Sequence, residues 1–339
     1  MTRFRDIGVI GGGAWGTALA ATAQRAGARV TLWAREAEVV EAITTQHQNL
    51  SFLPGVVLHP SIRATGDLAH VAQADALLLV VPAQYVRATA TALAAVLPDD
   101  TPLVVAAKGI EMGTGATMGE VLAETLPRNP FAILSGPTFA IEVARGLPTA
   151  VTLAARDQEL GADLVTALGT QTFRPYLSDD PIGCEIGGAV KNVLAIACGI
   201  VSGRGLGDNA RAALITRGLA EMVRLAVAKG GQPATLMGLS GLGDLVLTCT
   251  AMQSRNCSLG AALGQGRSLA EVLGERRSVA EGVASAAAVA ELAGRLGLDM
   301  PIVAAVDAIL HRDAAIDTMI SSLLARPFRA ESLSITPSQ

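Results

Sequence analysis

The sequence feature that most constrains this chain is a glycine-rich segment near its start. Residues 11–16 (GGGAWG) fit the pattern G-x-G-x-x-G, follow the apolar run 7–10 directly, and precede a helical pattern over 17–26. In such a segment Gly11 permits a tight turn, Gly13 lets the backbone approach a ligand, and Gly16 lets the helix pack closely on the strand. The N–H groups at a helix start bind anions. The segment therefore predicts a strand–turn–helix unit for a dinucleotide pyrophosphate, with a ligand-free turn as the alternative.

The first half of the chain alternates short apolar runs with helical patterns. The runs that indicate strands cover residues 7–10, 30–33, 77–81, 103–106, 132–134, 150–153 and 173–177. The helical patterns include residues 17–26, 86–97, 118–126 and 158–168. Most strand runs are continuously apolar, as expected for strands that are covered on both faces. The alternation predicts an α/β fold with a Rossmann-type doubly wound parallel sheet.

The pattern changes after residue 178, where Asp179-Asp180-Pro181 is a helix-start signal. From there only helical patterns follow, at residues 184–202, 210–229, 259–263, 283–296 and 302–310. The Gly-rich residues 203–208 lack a preceding strand, so they predict a turn between helices and no second nucleotide site. We therefore predict two domains: an NAD(P)-binding Rossmann domain over residues 1–180 and an all-helical substrate and catalytic domain over residues 181–339.

Composition and charge exclude several classes of protein. Half of the 339 residues are hydrophobic and 17% are charged, which excludes a disordered chain. The net charge of −4 provides no basic field for nucleic acid. Four cysteines without a CxxC pair predict reduced, buried thiols, and we expect no metal site. The apolar run 186–201 is interrupted by charge and is shorter than the ~20 residues of a membrane span. We therefore expect a cytoplasmic protein that has no membrane span.

The end of the second predicted strand bears on the choice of nucleotide. An acidic residue there usually holds the ribose 2′-hydroxyl of NAD(H), whereas an arginine accommodates the 2′-phosphate of NADP(H). Arg35 comes first in this chain, and Glu36 follows it. Arg35 favours NADP(H), while Glu36 leaves NAD(H) open. A solvated Arg–Glu pair at a helix start is the alternative without a ligand.

Two lysines stand out by their positions. Lys108 follows the strand-like run 103–106, and open α/β sheets bind ligands beyond the carboxyl ends of their strands. Lys191 lies within the most apolar helical pattern of the chain, where a lysine is paired, reaches to solvent, or carries function. Both positions favour active-site lysines. A surface lysine is the alternative for Lys108, and a side chain that extends to solvent is the alternative for Lys191.

Two further polar groups occur in the second half. Asp244 and Thr248 are four residues apart and share a face if their segment is helical. Asp244 would then orient a catalytic base, with an N-cap role as the alternative. Ser254, Arg255 and Asn256 combine a hydroxyl, a guanidinium and an amide. This set suits a phosphate, with a capped and solvated loop as the alternative.

Six segments in a fixed order resemble those of a known family. They are GGGAWGTALA at 11–20, KGIE at 108–111, GPTFA at 136–140, EIGGAVKN at 185–192, GLGDLVLTCTAMQSRN at 241–256 and EGV at 281–283. Together they resemble the bacterial-type NAD(P)-dependent sn-glycerol-3-phosphate dehydrogenase family, from about residue 6 to residue 325. The resemblance implies reversible hydride transfer between NADP(H) or NAD(H) and dihydroxyacetone phosphate, which gives sn-glycerol 3-phosphate for phospholipid synthesis. Members often have serine where Ala14 stands, so a hydroxyl contact to the cofactor is absent here while a backbone contact survives.

The resemblance also implies roles for individual residues. The implied catalytic residues are Lys191, Lys108 and Asp244, and Lys191 carries the proton. The implied substrate contacts are Lys108, Gly136, Thr138, Lys191, Asn192, Asp244, Thr248, Ser254, Arg255 and Asn256. The implied cofactor contacts are Gly11, Gly13, Ala14, Trp15, Gly16, Arg35, Lys108, Ala140, Arg255, Val279 and Glu281. A charged residue at a helix start is the alternative for Glu281. The expected partners are the small phosphorylated substrate and a second copy of the chain in a homodimer.

Two other functions compete with this interpretation. A β-hydroxyacid or 6-phosphogluconate-type dehydrogenase would also have a Rossmann domain, a helical domain and a Lys-Asn pair such as Lys191-Asn192. It would not explain residues 254–256 together with Lys108. A non-catalytic NAD(P)-binding regulator would retain the glycine segment but would have no use for Lys191 within an apolar helix. Turnover of dihydroxyacetone phosphate distinguishes the three.

Overall fold

The computed structural model describes residues 3–275 and 280–327, and the chain divides into two compact units. The first unit contains residues 1–108 and 116–184, and the second contains residues 109–115 and 185–339. The segment 109–115 therefore belongs to the second unit although it lies within the first half of the sequence.

The first unit is built on an eight-stranded sheet with the strand order β10-β9-β8-β7-β6-β1-β2-β5. Its strands are β1 (Asp6–Ile10), β2 (Arg29–Trp33), β5 (Arg63–Thr65), β6 (Ala76–Leu79), β7 (Leu103–Val105), β8 (Phe131–Ser135), β9 (Thr149–Ala155) and β10 (Phe173–Ser178). The order reverses between β1 and β6. In open α/β sheets the crevice beyond the carboxyl ends of the strands at such a point is where ligands bind.

Helices cover both faces of this sheet. They are α1 (Ala14–Arg25), α2 (Ala37–Gln46), α3 (Leu68–Val71), α4 (Val86–Leu93), α5 (Met118–Thr125), α6 (Ala140–Ala144) and α7 (Gln158–Leu168). Successive strand residues point to opposite faces. Leu78 and Leu134 therefore join a core with α1, α6 and α7, while Leu77 and Ile133 join a second core with α4 and α5. The doubly wound architecture predicted from the apolar runs is confirmed.

The sheet differs from the prediction in one pairing and in three short strands. Strands β8 and β9 pair antiparallel, so the sheet is parallel except at this pair. The sequence analysis also missed β5 and the hairpin of β3 (Gln48–Asn49) and β4 (Leu53–Val57). The hairpin is hard to predict because β3 has two residues and β4 contains Pro54 and Gly55, which weaken a strand pattern.

The described part of the second unit is helical. Its helices are α8 (Pro181–Gly203, whose first four residues belong to the first unit), α9 (Gly207–Ala228), α10 (Pro233–Leu236), α11 (Asp244–Thr250), α12 (Arg255–Gly264), α13 (Leu269–Gly274), α14 (Glu281–Arg295), α15 (Pro301–His311) and α16 (Ile316–Leu324). A π-helical turn, Leu239–Gly243, leads into α11. The predicted turn at residues 203–208 connects α8 to α9, and Asp180 accepts a hydrogen bond from the Gly183 N–H at the start of α8.

Glycines bring α8 and α12 into close contact. A Cβ atom on Gly260 would lie 2.0 Å from the Ile196 carbonyl oxygen, and one on Gly199 would lie 2.1 Å from the Cys257 carbonyl oxygen. Only residues without a side chain permit this approach. The crossing places the first turn of α12 beside the middle of α8.

A buried carboxylate connects α9 to α15. The Glu221 side chain accepts hydrogen bonds from the Ile302 N–H at 2.8 Å and the Val303 N–H at 3.1 Å, in the first turn of α15. These N–H groups have no partner within their own helix. Burial raises the pKa of Glu221 to about 7, although the two N–H donors act in the opposite direction.

Helix α8 is longer than the sequence predicted. Its 23 residues have a mean hydropathy of 1.6 over the most apolar window, which by length and composition would suffice to cross a membrane. That window is completely buried by other residues of the chain. In the described residues, the segments 233–250 and 255–264 satisfy the same criteria only when taken together, across a 45° bend.

Candidate active site

The glycine segment forms the turn between β1 and α1. Gly11 has a φ of +129°, and a Cβ atom there would lie 2.8 Å from the Val80 carbonyl oxygen. A Cβ atom on Gly16 would lie 1.9 Å from the Gly11 carbonyl oxygen, so the helix could not begin this close to the strand with any larger residue. The position of a Cβ on Gly13 faces open space, with no atom within 4 Å. The predicted strand–turn–helix unit is confirmed, with α1 beginning at Ala14.

Asn49, from the hairpin that the sequence analysis missed, contacts this turn. Its Nδ2 donates to the Gly12 carbonyl oxygen at 2.7 Å and to Thr17 Oγ1 at 2.8 Å. Its Oδ1 accepts from the Phe52 N–H at 3.0 Å. Asn49 is completely buried. A buried amide in a short strand has no sequence signal that distinguishes it from an ordinary turn residue.

Two observations support a fit between the first turn of α1 and a dinucleotide cofactor. The side of Gly13 where a Cβ would stand is open, as close approach of a pyrophosphate requires. The indole of Trp15 packs against the core of the first unit, and its Nε1 is buried without a hydrogen-bond partner in the described protein. An unpaired buried donor is rare and calls for an acceptor from outside the protein chain or from water.

Arg35 lies just beyond the end of β2, as predicted. Its guanidinium donates from Nε and Nη2 to Glu36 Oε1, at 3.1 and 2.8 Å, and about three quarters of the Arg35 side chain is exposed. A cleft of about 420 Å³ next to it is lined by residues of α2 and by Gly66. Arg35 and Glu36 thus form the Arg–Glu pair of the alternative interpretation. The exposed Arg35 side chain is also accessible to a ligand.

Lys108 follows β7 and bonds to the loop after β8. Its Nζ donates to the Gly136 carbonyl oxygen at 2.9 Å and to Thr138 Oγ1 at 3.5 Å. Gly136 has a φ of +151°, and a Cβ atom there would lie 2.9 Å from Val151 Cα. Ala140 begins α6 in the same loop. The structure thus brings together the predicted residues Lys108, Gly136 and Thr138 at one edge of the sheet.

Lys191 lies on α8 in the second unit and is paired with α11. Its Nζ donates to Asp244 Oδ1 at 2.8 Å and to Thr248 Oγ1 at 2.9 Å. The Lys191 side chain is 8% exposed and that of Asp244 is fully buried. Gly243 is the N-cap residue of α11, so the N-cap alternative for Asp244 is wrong. Lys191 does not reach to solvent, and the alternative for this residue is wrong as well.

The thiols of Cys198, Cys249 and Cys257 lie near one another, and Cys249 lies near the charge of Lys191. A hydrogen bond with Cys198 and, to a smaller extent, burial raise the pKa of Cys249 well above its usual value. The nearby charge of Lys191 acts in the opposite direction. Burial likewise raises the pKa of Cys257. Thiols in this state are poor nucleophiles and poor metal ligands. All four cysteines are buried thiols that form no disulfide, as predicted.

Two asparagines join α8, α12 and α14. Asn256 Nδ2 donates to Asn192 Oδ1 at 2.9 Å, and Asn256 Oδ1 accepts from the Gly282 N–H at 3.1 Å. Asn192 follows Lys191 directly, so the two side chains leave α8 in different directions. The amide of Asn256 therefore positions the start of α12 against α8, beside the lysine–aspartate pair.

The first turn of α12 carries the remaining predicted phosphate ligands. Ser254 is the N-cap residue, and its Oγ accepts from the Cys257 N–H at 3.2 Å. Arg255 begins the helix with an exposed side chain. Glu281 is the first residue of α14, which is the helix-start position of the alternative interpretation. Val279 lies outside the described residues. Among the described residues, no group of three or more histidine, cysteine or acidic side chains could hold a metal ion.

Comparison with known proteins defines the class of this chain. The family model for the N-terminal part of NAD-dependent glycerol-3-phosphate dehydrogenase matches residues 6–161, and the model for the C-terminal part matches residues 180–321. The fold and the two family models therefore define an NAD-dependent oxidoreductase. The chain belongs to the NAD-dependent glycerol-3-phosphate dehydrogenase family.

Individual relatives agree with this assignment. The chain is 62% identical over 326 residues to a Rhodospirillum rubrum protein named glycerol-3-phosphate dehydrogenase (NAD(P)+), covering 96% of this chain and 93% of the relative. A Parvibaculum lavamentivorans protein of the same name is 57% identical, with coverage of 97% and 98%. The crystal structure of glycerol-3-phosphate dehydrogenase from Coxiella burnetii superimposes with a TM-score of 0.92 at 41% identity, and covers 95% of this chain and 99% of that one.

Proposed function

We propose that the chain reduces dihydroxyacetone phosphate reversibly to sn-glycerol 3-phosphate with NAD(P)H, and that Lys191 moves the proton. The family and its close relatives support the reaction: as a member, this chain is an NAD(P)-dependent dehydrogenase whose product enters phospholipid synthesis. The observation that carries the residue assignment is the buried pair of Lys191 and Asp244. Burying two charges costs on the order of several kcal/mol per ion. Close pairing offsets part of this cost, and a catalytic role would explain why the pair is kept.

The roles of the polar side chains follow from the contacts within each unit. Asp244 and Thr248 hold the Lys191 Nζ at a defined position, so that its ammonium group can donate a proton to the C2 oxygen of the ketone and take it back in the reverse direction. Lys108, held by Gly136 and Thr138, polarises that oxygen. We assign substrate contacts to these residues and to Asn192.

The phosphate of the substrate is assigned to the start of α12. Arg255 presents a planar guanidinium, the first turn of the helix presents N–H groups, and Ser254 and Asn256 shape that turn. A dianion gains from both the helix dipole and the charge-assisted hydrogen bonds. This contact would distinguish a phosphorylated ketone from its unphosphorylated analogue.

The nucleotide is assigned to the turn between β1 and α1. When it is bound, its dihydronicotinamide ring supplies the hydride for C2. Gly11, Gly13 and Gly16 shape the turn, and the N–H groups of Ala14 and Trp15, in the first turn of α1, would bind the pyrophosphate. Outside the glycine turn, we assign further contacts with the cofactor to Arg35, Lys108, Ala140, Arg255, Val279 and Glu281.

We also propose a division of labour along the chain. Residues 1–180 would form the NAD(P)-binding Rossmann domain, and residues 181–339 the helical substrate and catalytic domain. Two observations support this: the glycine turn lies in the first unit, and Lys191 and Asp244 lie in the second. Expressing residues 1–180 alone and titrating them with NADPH would test the nucleotide part, and absence of binding by a folded fragment would contradict it.

A cytoplasmic location and a homodimer complete the proposal. Four buried cysteines without a disulfide are typical of a reducing compartment. The apolar side chains of α16, including Met319, Ile320 and Leu324, are not fully buried by the described chain, and a second copy could cover them. Light scattering during size-exclusion chromatography measures the mass, and a monomer at micromolar concentration would contradict the homodimer.

Turnover assays test the function directly. Oxidation of NADPH and NADH by the purified chain should be fast with dihydroxyacetone phosphate and slow with dihydroxyacetone and with short β-ketoacids. Equal use of dihydroxyacetone would overturn the assignment of the phosphate contact. Preference for a β-ketoacid would favour the hydroxyacid-dehydrogenase alternative.

A further inference from the structure

The orientation of one peptide group decides whether the glycine turn can bind an anion. The peptide between Gly12 and Gly13 is trans, as are all peptide bonds described here. In a planar trans peptide the carbonyl oxygen and the N–H point in opposite directions. When the Gly12 carbonyl points toward Asn49, the Gly13 N–H points to the opposite side of the turn, away from the hairpin.

Asn49 is the side chain that holds this carbonyl. Its Nδ2 donates to the Gly12 carbonyl oxygen at 2.7 Å and to Thr17 Oγ1 at 2.8 Å, so one amide group joins the glycine turn to the first turn of α1. The orientation of the amide is unambiguous, because a carbonyl oxygen only accepts and the Phe52 N–H only donates. Asn49 is 0% exposed, so water does not compete for these hydrogen bonds.

The surroundings fix Asn49 in turn. The hairpin that carries it inserts Leu53, Val56 and Leu58 into the core of the first unit. The N–H of Leu58 donates to the His47 carbonyl oxygen at 2.7 Å, which closes the base of the hairpin. The packed hairpin therefore fixes the position of the Asn49 amide relative to the glycine turn. Glycines lose more backbone freedom on ordering than other residues, so three glycines in succession need such support.

We propose that Asn49 is a positioning residue that holds the Gly12–Gly13 peptide with its N–H toward the pyrophosphate of the bound nucleotide. This inference rests on the proposed function, because it concerns the same nucleotide site. Asn49 itself does not touch the nucleotide. It orders the turn before binding, so that the ordering cost is met during folding and does not weaken the affinity.

The test compares two buried asparagines of the same unit. Asn49→Asp replaces the two donors with an acceptor of the same shape and turns the Gly12 carbonyl away. Asn129 is the matched control, since its Nδ2 also donates two hydrogen bonds, here to the Pro98 and Thr101 carbonyl oxygens, and it is also buried. Asn129 precedes β8, whereas the glycine turn follows β1, so the two sites lie at opposite ends of these parallel strands.

Two readouts separate positioning from general stability. In the nucleotide-free protein, amide hydrogen exchange in a peptide covering residues 11–17 should be faster in Asn49→Asp and unchanged in Asn129→Asp. The Kd for NADPH, from quenching of tryptophan fluorescence, should rise about tenfold to a hundredfold in Asn49→Asp, the usual effect of losing a hydrogen bond to a charged group. At saturating NADPH, kcat should stay close to that of the wild type.

The outcomes distinguish this inference from the proposed function. If both variants weaken NADPH binding equally, or if Asn49→Asp binds as the wild type does, Asn49 is not a positioning residue. If the wild type itself fails to bind NADPH, the proposed function fails, while exchange at residues 11–17 still tests the contact. Should Asn49→Asp not fold, Thr17→Val removes one acceptor and should raise the Kd several-fold, by about half the effect in free energy; no change would overturn the proposal.

Discussion

At the carboxyl end of β1 the groups that we propose for the anion belong to the backbone, whereas on α8 the group that we propose for proton transfer is a side chain. In the first unit, glycines leave room for main-chain N–H groups, and Asn49 orients a peptide. In the second unit, Lys191 is buried against Asp244 and Thr248 between helices. A backbone site tolerates little change in shape, while a site of buried charges tolerates little change in charge. Variants that alter one property alone can therefore break or sharpen this contrast.

The largest expected effect follows from removing the charge at Lys191. Lys191→Met retains the apolar stem and loses the proton donor, so kcat should fall by about a hundredfold or more, the usual range for general acid–base catalysis. The Kd for NADPH should stay nearly unchanged, because the proposed nucleotide turn is in the other unit. Stopped-flow kinetics and fluorescence titration measure the two quantities.

Lys108→Met is the comparison for Lys191→Met. It should lower kcat by less, because in the proposed mechanism Lys108 polarises the ketone without carrying the proton. Near-normal kcat in Lys191→Met together with an inactive Lys108→Met would mean that the two roles are reversed.

The next effect concerns the other buried carboxylate of the second unit. The folded-state pKa of Glu221 is raised to about 7, above its value in the unfolded chain, so its contribution to stability is complete below pH 4.5 and is lost as pH rises to 7. Between these limits the wild type should lose about 3 kcal/mol of unfolding free energy relative to Glu221→Gln, at about 1.4 kcal/mol per pKa unit. Urea denaturation of both proteins at pH 5 and pH 7.5 measures the difference.

Glu271 is the matched control for Glu221. It is an exposed helix-cap residue whose pKa is lowered by hydrogen bonds from Ser268, so its stabilising contribution is lost only as pH falls below its ordinary range. Glu271→Gln should leave the slope between pH 5 and pH 7.5 unaltered. A stability difference between the wild type and Glu221→Gln that does not vary with pH would contradict the role of burial at Glu221.

A smaller effect is expected at Arg255, where backbone and side chain act together. Arg255→Ala removes a charge-assisted hydrogen bond but leaves the first turn of α12 in place. The KM for dihydroxyacetone phosphate should rise by roughly ten- to a hundredfold, or about 1.5–3 kcal/mol. The poor activity with unphosphorylated dihydroxyacetone should not change. An equal loss with both substrates would indicate that Arg255 does not recognise the phosphate.

The smallest effect concerns Arg35, a charged side chain at the nucleotide end of the first unit. We expect NADPH to be preferred over NADH, and Arg35→Asp should move the preference toward NADH, by about tenfold, because an acid repels the 2′-phosphate. Glu36 pairs with Arg35 and limits the effect. The ratio of kcat/KM for the two cofactors measures it, and a ratio near one in both proteins would remove the claim.

Most of the first unit was predictable because its signals are local. An apolar run followed by G-x-G-x-x-G and a helical pattern is compatible with few structures besides the strand–turn–helix unit. The alternation of apolar runs and helical patterns predicts a doubly wound sheet. The antiparallel pairing of β9 was not predictable, because strand direction depends on the path of the residues between β8 and β9. The Asn49 contact joins residues 37 positions apart, and no local pattern marks it.

The sequence by itself determined the class of fold, the glycine turn and the presence of an unusual lysine in an apolar helix. Only the tertiary structure decided which side chains meet. Lys191 and Asp244 are 53 residues apart and come together because glycines let α8, α11 and α12 pack closely. Periodicity reports which face of an element is buried, since burial depends on local spacing. Which side chains meet depends on how separate elements pack. The backbone contacts that set the distance between two helices are formed only in the folded chain.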